Sequence, residues 1–152
     1  LYRRWRSKAD MAADLVRGLS APTIALIDPG DQGSLEADLY AALLVGRRLL
    51  RHPLVRSILP DLYTAIPREP ALAEAMRPGE MAREKKVKAL IDRAIARGEL
   101  RADVDRRATT DLLIGPLYWR IVVLGERCDR RQLKQLAHMT AAAIAAGGLA
   151  PD

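Results

Sequence analysis

Apolar residues recur at three- and four-residue spacings along most of the chain, and clusters of Pro, Gly and Asp interrupt them. This pattern predicts a series of amphipathic helices, and no run alternates as a strand would. Met11, Leu15 and Leu19 mark a helix from about Ser7, where Ser7-Lys8-Ala9-Asp10 has the form of a capping box. A loop over Ile27–Gly33 follows, and Ser34 then caps a helix with the face Leu35, Leu39, Leu43, Gly46 and Leu50. His52-Pro53 stops that helix and starts another, carrying Leu54, Val55, Ile58, Leu59 and Leu62, with Pro60 expected to kink it. Pro70 opens the next segment with Leu72 and Met76. Pro78-Gly79 is expected to break or bend it before a stripe of Val87, Leu90, Ile91, Ala94 and Ile95, and Gly98 is the expected C-terminal cap. Asp105 caps a helix from Arg106 to about Leu124, which Gly125 ends. Asp129-Arg130-Arg131-Gln132 is a second capping-box pattern and starts a helix running to Gly147-Gly148.

Between Leu112 and Leu124 only Arg120 is charged, so that helix needs cover on all sides, from its own chain or from a second one. The final helix carries a stripe whose small members let a partner helix approach closely. Together the two helices look like half of a four-helix bundle. The expected homodimer interface is Leu117, Tyr118, Arg120, Ile121 and Leu124 on the first, and Leu133, Leu136, Ala137, Thr140 and Ile144 on the second. An intrachain core accounts for part of this apolar surface in either case.

The chain has 152 residues, 49% of them hydrophobic, enough for one domain with a sizeable core. Phe is absent and aromatics make up only 4%, so aliphatic residues must build that core, which favours an all-α fold. The formal charge of +6 fits a polyanionic partner without requiring one. Only the first eight residues concentrate positive charge with no acid among them. Cys128 is the single cysteine, which excludes an internal disulfide and points to a reducing, cytoplasmic setting. No signal-peptide pattern opens the chain, and Leu112–Leu124 is too short to span a membrane.

No catalytic constellation stands out, so neither enzymatic activity nor a cofactor or metal is expected. His52 and His138 lack carboxylate or thiol neighbours at metal-ligand spacing. Cys128 precedes a helix start, which could lower its pKa; an incidental turn cysteine is the plainer reading. Tyr118 and Trp119 are adjacent on the apolar helix and point about 100° apart. One is expected to face the bundle and the other the interior, with Trp119 assigned to a pocket wall. An apolar cavity is expected between proline-bent helices, lined by Leu43, Leu62, Met76, Met81, Ile91 and Trp119.

Two sets of residues carry a family resemblance. The first is Leu1-Tyr2, Trp5, Lys8 and Asp10, an aromatic and basic segment joined directly to a new helix. The second is Ala96-Arg97-Gly98-Glu99-Leu100-Arg101, Asp103-Val104-Asp105, Leu112-Leu113-Ile114-Gly115-Pro116-Leu117-Tyr118 and Gly125-Glu126, in that order. Over nearly its whole length the chain resembles TetR-family transcriptional regulators. The first set is similar to the junction between the DNA-recognition helix and the body, the second to the C-terminal domain of a large subgroup. The resemblance implies that residues 1–6 are a remnant of the recognition helix and that 7–152 form the ligand-binding and dimerisation domain. It implies a homodimeric repressor that binds a double-stranded operator in its intact form and is released by a small apolar effector. Tyr2, Arg3, Arg4 and Lys8 are then the DNA contacts, directed mainly to phosphates. The first two helices of the DNA-binding domain and most of the third would precede Leu1. A helical homodimeric interaction module without DNA binding, and an α-helical enzyme, are the alternatives.

Overall fold

The computed structural model describes residues 29–147 and the single position Asp14. The candidate DNA contacts Tyr2, Arg3, Arg4 and Lys8, and the helix expected from Ser7, lie outside the described residues. All regular structure among the described residues is helical: α1 (Leu35–Leu50), α2 (Pro53–Ala65), α3 (Pro70–Ala96), α4 (Arg106–Tyr118) and α5 (Arg130–Ala145). A short 3-10 turn over Ile66–Arg68 joins α2 to α3, and a π turn over Trp119–Val123 extends α4.

Local chemistry starts each helix. Ser34 Oγ accepts the Ala37 amide at 3.2 Å, and Asp105 Oδ1 accepts the amides of Arg107 and Ala108 at 2.8 and 2.9 Å. At α5 the capping box closes in both directions: Gln132 N donates to Asp129 Oδ1 at 2.8 Å, and Asp129 N donates to Gln132 Oε1 at 2.7 Å. At the end of α3, Gly98 adopts φ +77°, its amide donates to Ile95 O, and the Glu99 amide donates to Ala94 O. That is a Schellman closure, which an L side chain at position 98 would strain.

Helix α1 is the hub and packs most extensively on α5, and also on α4, α3 and α2. Leu39, Leu43, Ile91, Ile121 and Leu133 are its most deeply buried large neighbours or members. Its first turn is fixed by charge as well as by apolar contact. The Leu35 amide donates to Glu99 Oε2 at 2.7 Å, across 64 residues of sequence. Asp38 is fully buried, accepting from Gln32 N at 2.6 Å and from Arg97 Nη2 at 2.9 Å, with Arg93 Nε at 3.7 Å. Arg97 also reaches Asp31 and Glu99.

Two expectations about helix continuity change. Pro78-Gly79 does not break α3, which runs unbroken for 27 residues. Pro78 forfeits one amide donor, but the two halves on either side are each anchored: Leu72 and Ala75 bury in one cluster, Val87, Leu90, Ile91 and Ala94 in the main core. The apolar helix expected to reach Leu124 loses α geometry after Tyr118, and the Leu124 amide reaches back five residues to Trp119 O at 2.9 Å. Pro116 within α4 lacks an amide donor, and a π turn close after it is one way a helix absorbs such a lesion.

Candidate ligand cavity

The packed interior divides into a main core around α1 and a small satellite of Leu62, Leu72 and Ala75 between α2 and the first half of α3. Where the two fail to merge there is a cavity of about 240 Å³. Its walls come from four helices: Leu43, Gly46 and Leu50 of α1, Val55, Ile58 and Leu62 of α2, Met76, Gly79 and Val87 of α3, and Leu113, Leu117 and Tyr118 of α4. Each of α2, α3 and α4 carries an internal proline, and Gly46 and Gly79 leave space that a side chain would fill. A Cβ on Gly46 would stand 3.0 Å from Leu117 Cδ2, so even alanine there would press on the far wall. The volume lies just under the ~300–1,000 Å³ typical of sites for drug-sized ligands.

Polar atoms are few. Tyr63 and Tyr118 meet edge to face with ring centroids 5.4 Å apart, and both line the cavity. Burial, and then the neighbouring Tyr63, push the Tyr118 hydroxyl above its ordinary pKa, so it stays a neutral donor. Glu80 and Arg83, one turn apart on α3, also line the space. Arg83 Nε is buried with no hydrogen-bond partner. A wider groove of about 660 Å³ between the start of α1 and α5 is open to solvent and bordered by alanines, including Ala137 and Ala141, and by the charged or polar Ser34, Glu36, Glu99, Lys134 and His138. It lacks the enclosing apolar walls that favour a small ligand.

Of the six residues assigned to a pocket from sequence, the structure gathers Leu43, Leu62 and Met76 around the cavity. Ile91 is packed solid in the main core, and Met81 is 62% exposed. Trp119 is 56% exposed and turns away from the cavity, while its neighbour Tyr118 takes the wall position. Tyr63, which from sequence could be either a pocket residue or amphipathic surface, lines the cavity, whereas Arg83 and Val55 were missed. The signal for Arg83 was a charge inside the apolar row Met76, Gly79, Arg83, Val87 at three- and four-residue spacing.

The proposed interface residues also separate. Leu117, Ile121, Leu133, Ala137, Thr140 and Ile144 are buried within the single chain, and Tyr118 and Leu136 are partly buried. Arg120 is exposed and pairs with Glu126 at 3.1 Å. Leu124 is exposed, together with Leu112, Trp119 and Val123 on α4 and its π turn, and Met139 on the adjoining α5. Cys128 is buried at φ +48°. Desolvation raises its thiol pKa against the opposing pull of Arg120 and Arg47, so it is a protonated, apolar-like group and not the activated thiol that a helix start could produce. Iodoacetamide is therefore expected to modify Cys128 far more slowly in the folded protein at neutral pH than in denaturant. Equal rates by mass spectrometry would refute this.

The class so defined is an all-α domain of five described helices, four of which wall a small, partly open apolar cavity. Residues 29–140 match the family described as tetracyclin repressor-like, C-terminal domain. The chain belongs to the TetR family of transcriptional regulators. It is 26% identical over 137 residues to the uncharacterized HTH-type transcriptional regulator YdeS of Bacillus subtilis strain 168, covering 90% of this chain and 67% of that protein. It is 31% identical over 135 residues to the DNA-binding transcriptional repressor TetR of Mycobacteroides abscessus, covering 85% and 67%. Among the described residues no helix is long and apolar enough to cross a membrane, and no group of three or more His, Cys, Asp or Glu is placed to hold a metal ion.

Proposed function

We propose that this chain is the effector-binding and dimerising body of a DNA-binding transcriptional repressor, and that a small, largely apolar molecule in the α1–α4 cavity releases it from its operator. The observation that carries this reading is the cavity itself, an apolar space walled by all four helices that surround the first half of the core. The repressor named above, similar over most of this chain, supports the direction of regulation. The amino-terminal residues Tyr2, Arg3, Arg4 and Lys8 are the proposed phosphate contacts.

The partner for the exposed apolar face is a second copy of this chain. Leu112, Trp119 and Val123 recur at near-helical spacing along α4 and its extension, and α5, which packs on α4, adds the exposed Met139. Two such faces related by a two-fold axis make a four-helix seam, with Leu124 and the Arg120–Glu126 pair nearby. An effector that occupies the cavity differently in the operator-bound and released arrangements would shift their balance by that difference in affinity.

The test is DNA release. The chain together with the residues encoded upstream of Leu1 is titrated onto DNA from its own promoter region, at several salt concentrations, with and without apolar ligands that raise its melting temperature. The expected result is sequence-selective, salt-sensitive binding that such a ligand weakens. Binding with no sequence preference, or no helix-turn-helix pattern in the upstream residues, would remove the regulator reading in favour of a helical interaction module.

A further inference from the structure

We propose that the cavity takes an apolar molecule bearing a single acidic head, such as a medium-chain or compact aromatic carboxylic acid, with Arg83 as the residue that receives the carboxylate. This rests on the cavity being the effector site.

Among the described residues, the buried Nε of Arg83 lacks a hydrogen-bond partner, as does that of Arg106. Arg93 lies beside Asp38, and Arg106 donates to Asp92 through Nη2 at 2.7 Å, so those two guanidinium groups are otherwise engaged. Neither lines the cavity, whereas Arg83 does, and no described carboxylate pairs with it. Arg83 Nε itself is covered by protein atoms, but the guanidinium cannot shed its charge and makes no ion pair with a described carboxylate, so its terminal N–H groups are free to meet an acceptor in the cavity that the residue lines. A carboxylate matches the fork of that group better than a hydroxyl or a neutral carbonyl does.

Glu80, one turn away, is the natural objection, because it also lines the cavity and would repel an anion. It does not pair with Arg83, and its oxygens are not among the buried, unpartnered atoms. Both residues are half-buried, but only Arg83 carries a covered polar atom without a hydrogen-bond partner, and on that ground the cation sets the sign of the ligand. The volume of about 240 Å³ limits the body to a short chain or one ring system.

The experiment compares octanoate, octanol and octylamine by calorimetry on the 152-residue chain, its Arg83→Met variant and its Arg83→Lys variant. Octanoate is expected to bind the parent about ten- to a hundred-fold more tightly than octanol does, the usual worth of a charge-assisted hydrogen bond. Arg83→Met should reduce octanoate to the level of octanol and leave octanol unchanged, while Arg83→Lys keeps part of the preference. Melting curves of the unliganded variants should overlay the parent, since no internal partner is lost. If octanol equals octanoate on the parent, or octylamine binds best, the acidic head is wrong while the apolar cavity still stands. If none of the three binds, the effector reading of the cavity falls and this inference falls with it. The parent comparison alone decides the sign of the head group even if a variant fails to fold.

Discussion

Ile144→Asp is expected to unfold the chain before it affects any dimer. Sequence periodicity alone places Ile144 on an intersubunit seam, but the side chain is 5% exposed within one chain, packed with Leu133 and Ala137 in the main core on α1. The substitution removes a buried branched side chain and puts a carboxylate in its place. Truncating such a side chain costs about 2–5 kcal/mol, and the polar head adds a further desolvation cost. Against the ~5–15 kcal/mol that stabilises a typical domain, the sum leaves little folded protein. Circular dichroism should show a melting temperature lowered by well over ten degrees, or no cooperative melt. Trp119→Asp is the matched opposite. Trp119 is more than half exposed, so in a monomer the change should alter stability by only about 0.5 kcal/mol. In a dimer joined through that face it should shift sedimentation from dimer to monomer at micromolar concentration, with the helical spectrum retained. An unaltered melt for Ile144→Asp would overturn the intrachain placement. A parent that sediments as a monomer, or a dimer that survives Trp119→Asp, would overturn the proposed seam.

Asp38→Ala should be nearly as damaging, although Asp38 is one acid among 19 acidic residues. Its carboxylate is fully buried and is shared by the Gln32 amide, Arg97 and Arg93. Removing it takes the fully buried acceptor from the Gln32 amide and from Arg97, but Arg97 keeps Asp31 and Glu99, so the loss should lie near the lower end of the about 3–5 kcal/mol of a broken buried pair. Asp38→Asn keeps an acceptor for the Gln32 amide but not the charge, and should fall between the two. The same cluster makes stability fall in acid. Burial pushes the Glu99 carboxyl up, but the Leu35 amide and Arg97 outweigh it, and its pKa lies below the ordinary value. A carboxyl with a depressed folded pKa contributes fully above its unfolded pKa, near 4.3, and loses that contribution as pH falls through the lower folded value. Urea midpoints measured between pH 7 and pH 3 should therefore decline mainly below about pH 4.5, with a smaller decline in Glu99→Gln. A Glu99→Gln protein with the full parental slope would contradict this assignment.

Local chemistry was legible from the chain alone. Ser34, Asp105 and the Asp129–Gln132 box act within three residues of themselves, so their hydrogen bonds follow from short-range sequence. The closure at Gly98 does too, because a positive φ after a helix favours glycine. The aliphatic, Phe-free composition and the three- and four-residue spacings were enough for an all-α fold, and the ordered motifs from Ala96 to Glu126 were enough for the family.

What the chain alone left undecided has one physical cause: periodicity fixes the angle between side chains on a helix, not the side from which neighbours arrive. Tyr118 and Trp119 had to diverge, yet only the packing of α4 against α1 and α3 turned Tyr118 to the cavity and Trp119 to the surface. The stripe on α5 could have met a partner chain or α1, and α1 occupies it. Pro78 costs one hydrogen bond locally, but the apolar clusters at both ends of α3 hold the helix through it. The unpaired nitrogen of Arg83 has no sequence signature beyond a charge out of place in an apolar row, because burial without a partner is a property of the folded arrangement. The sequence by itself was enough for the all-α class, the caps at Ser34, Asp105 and Asp129, and the family. Tertiary packing decided which faces are interior, where the core leaves a space, and which charge borders it.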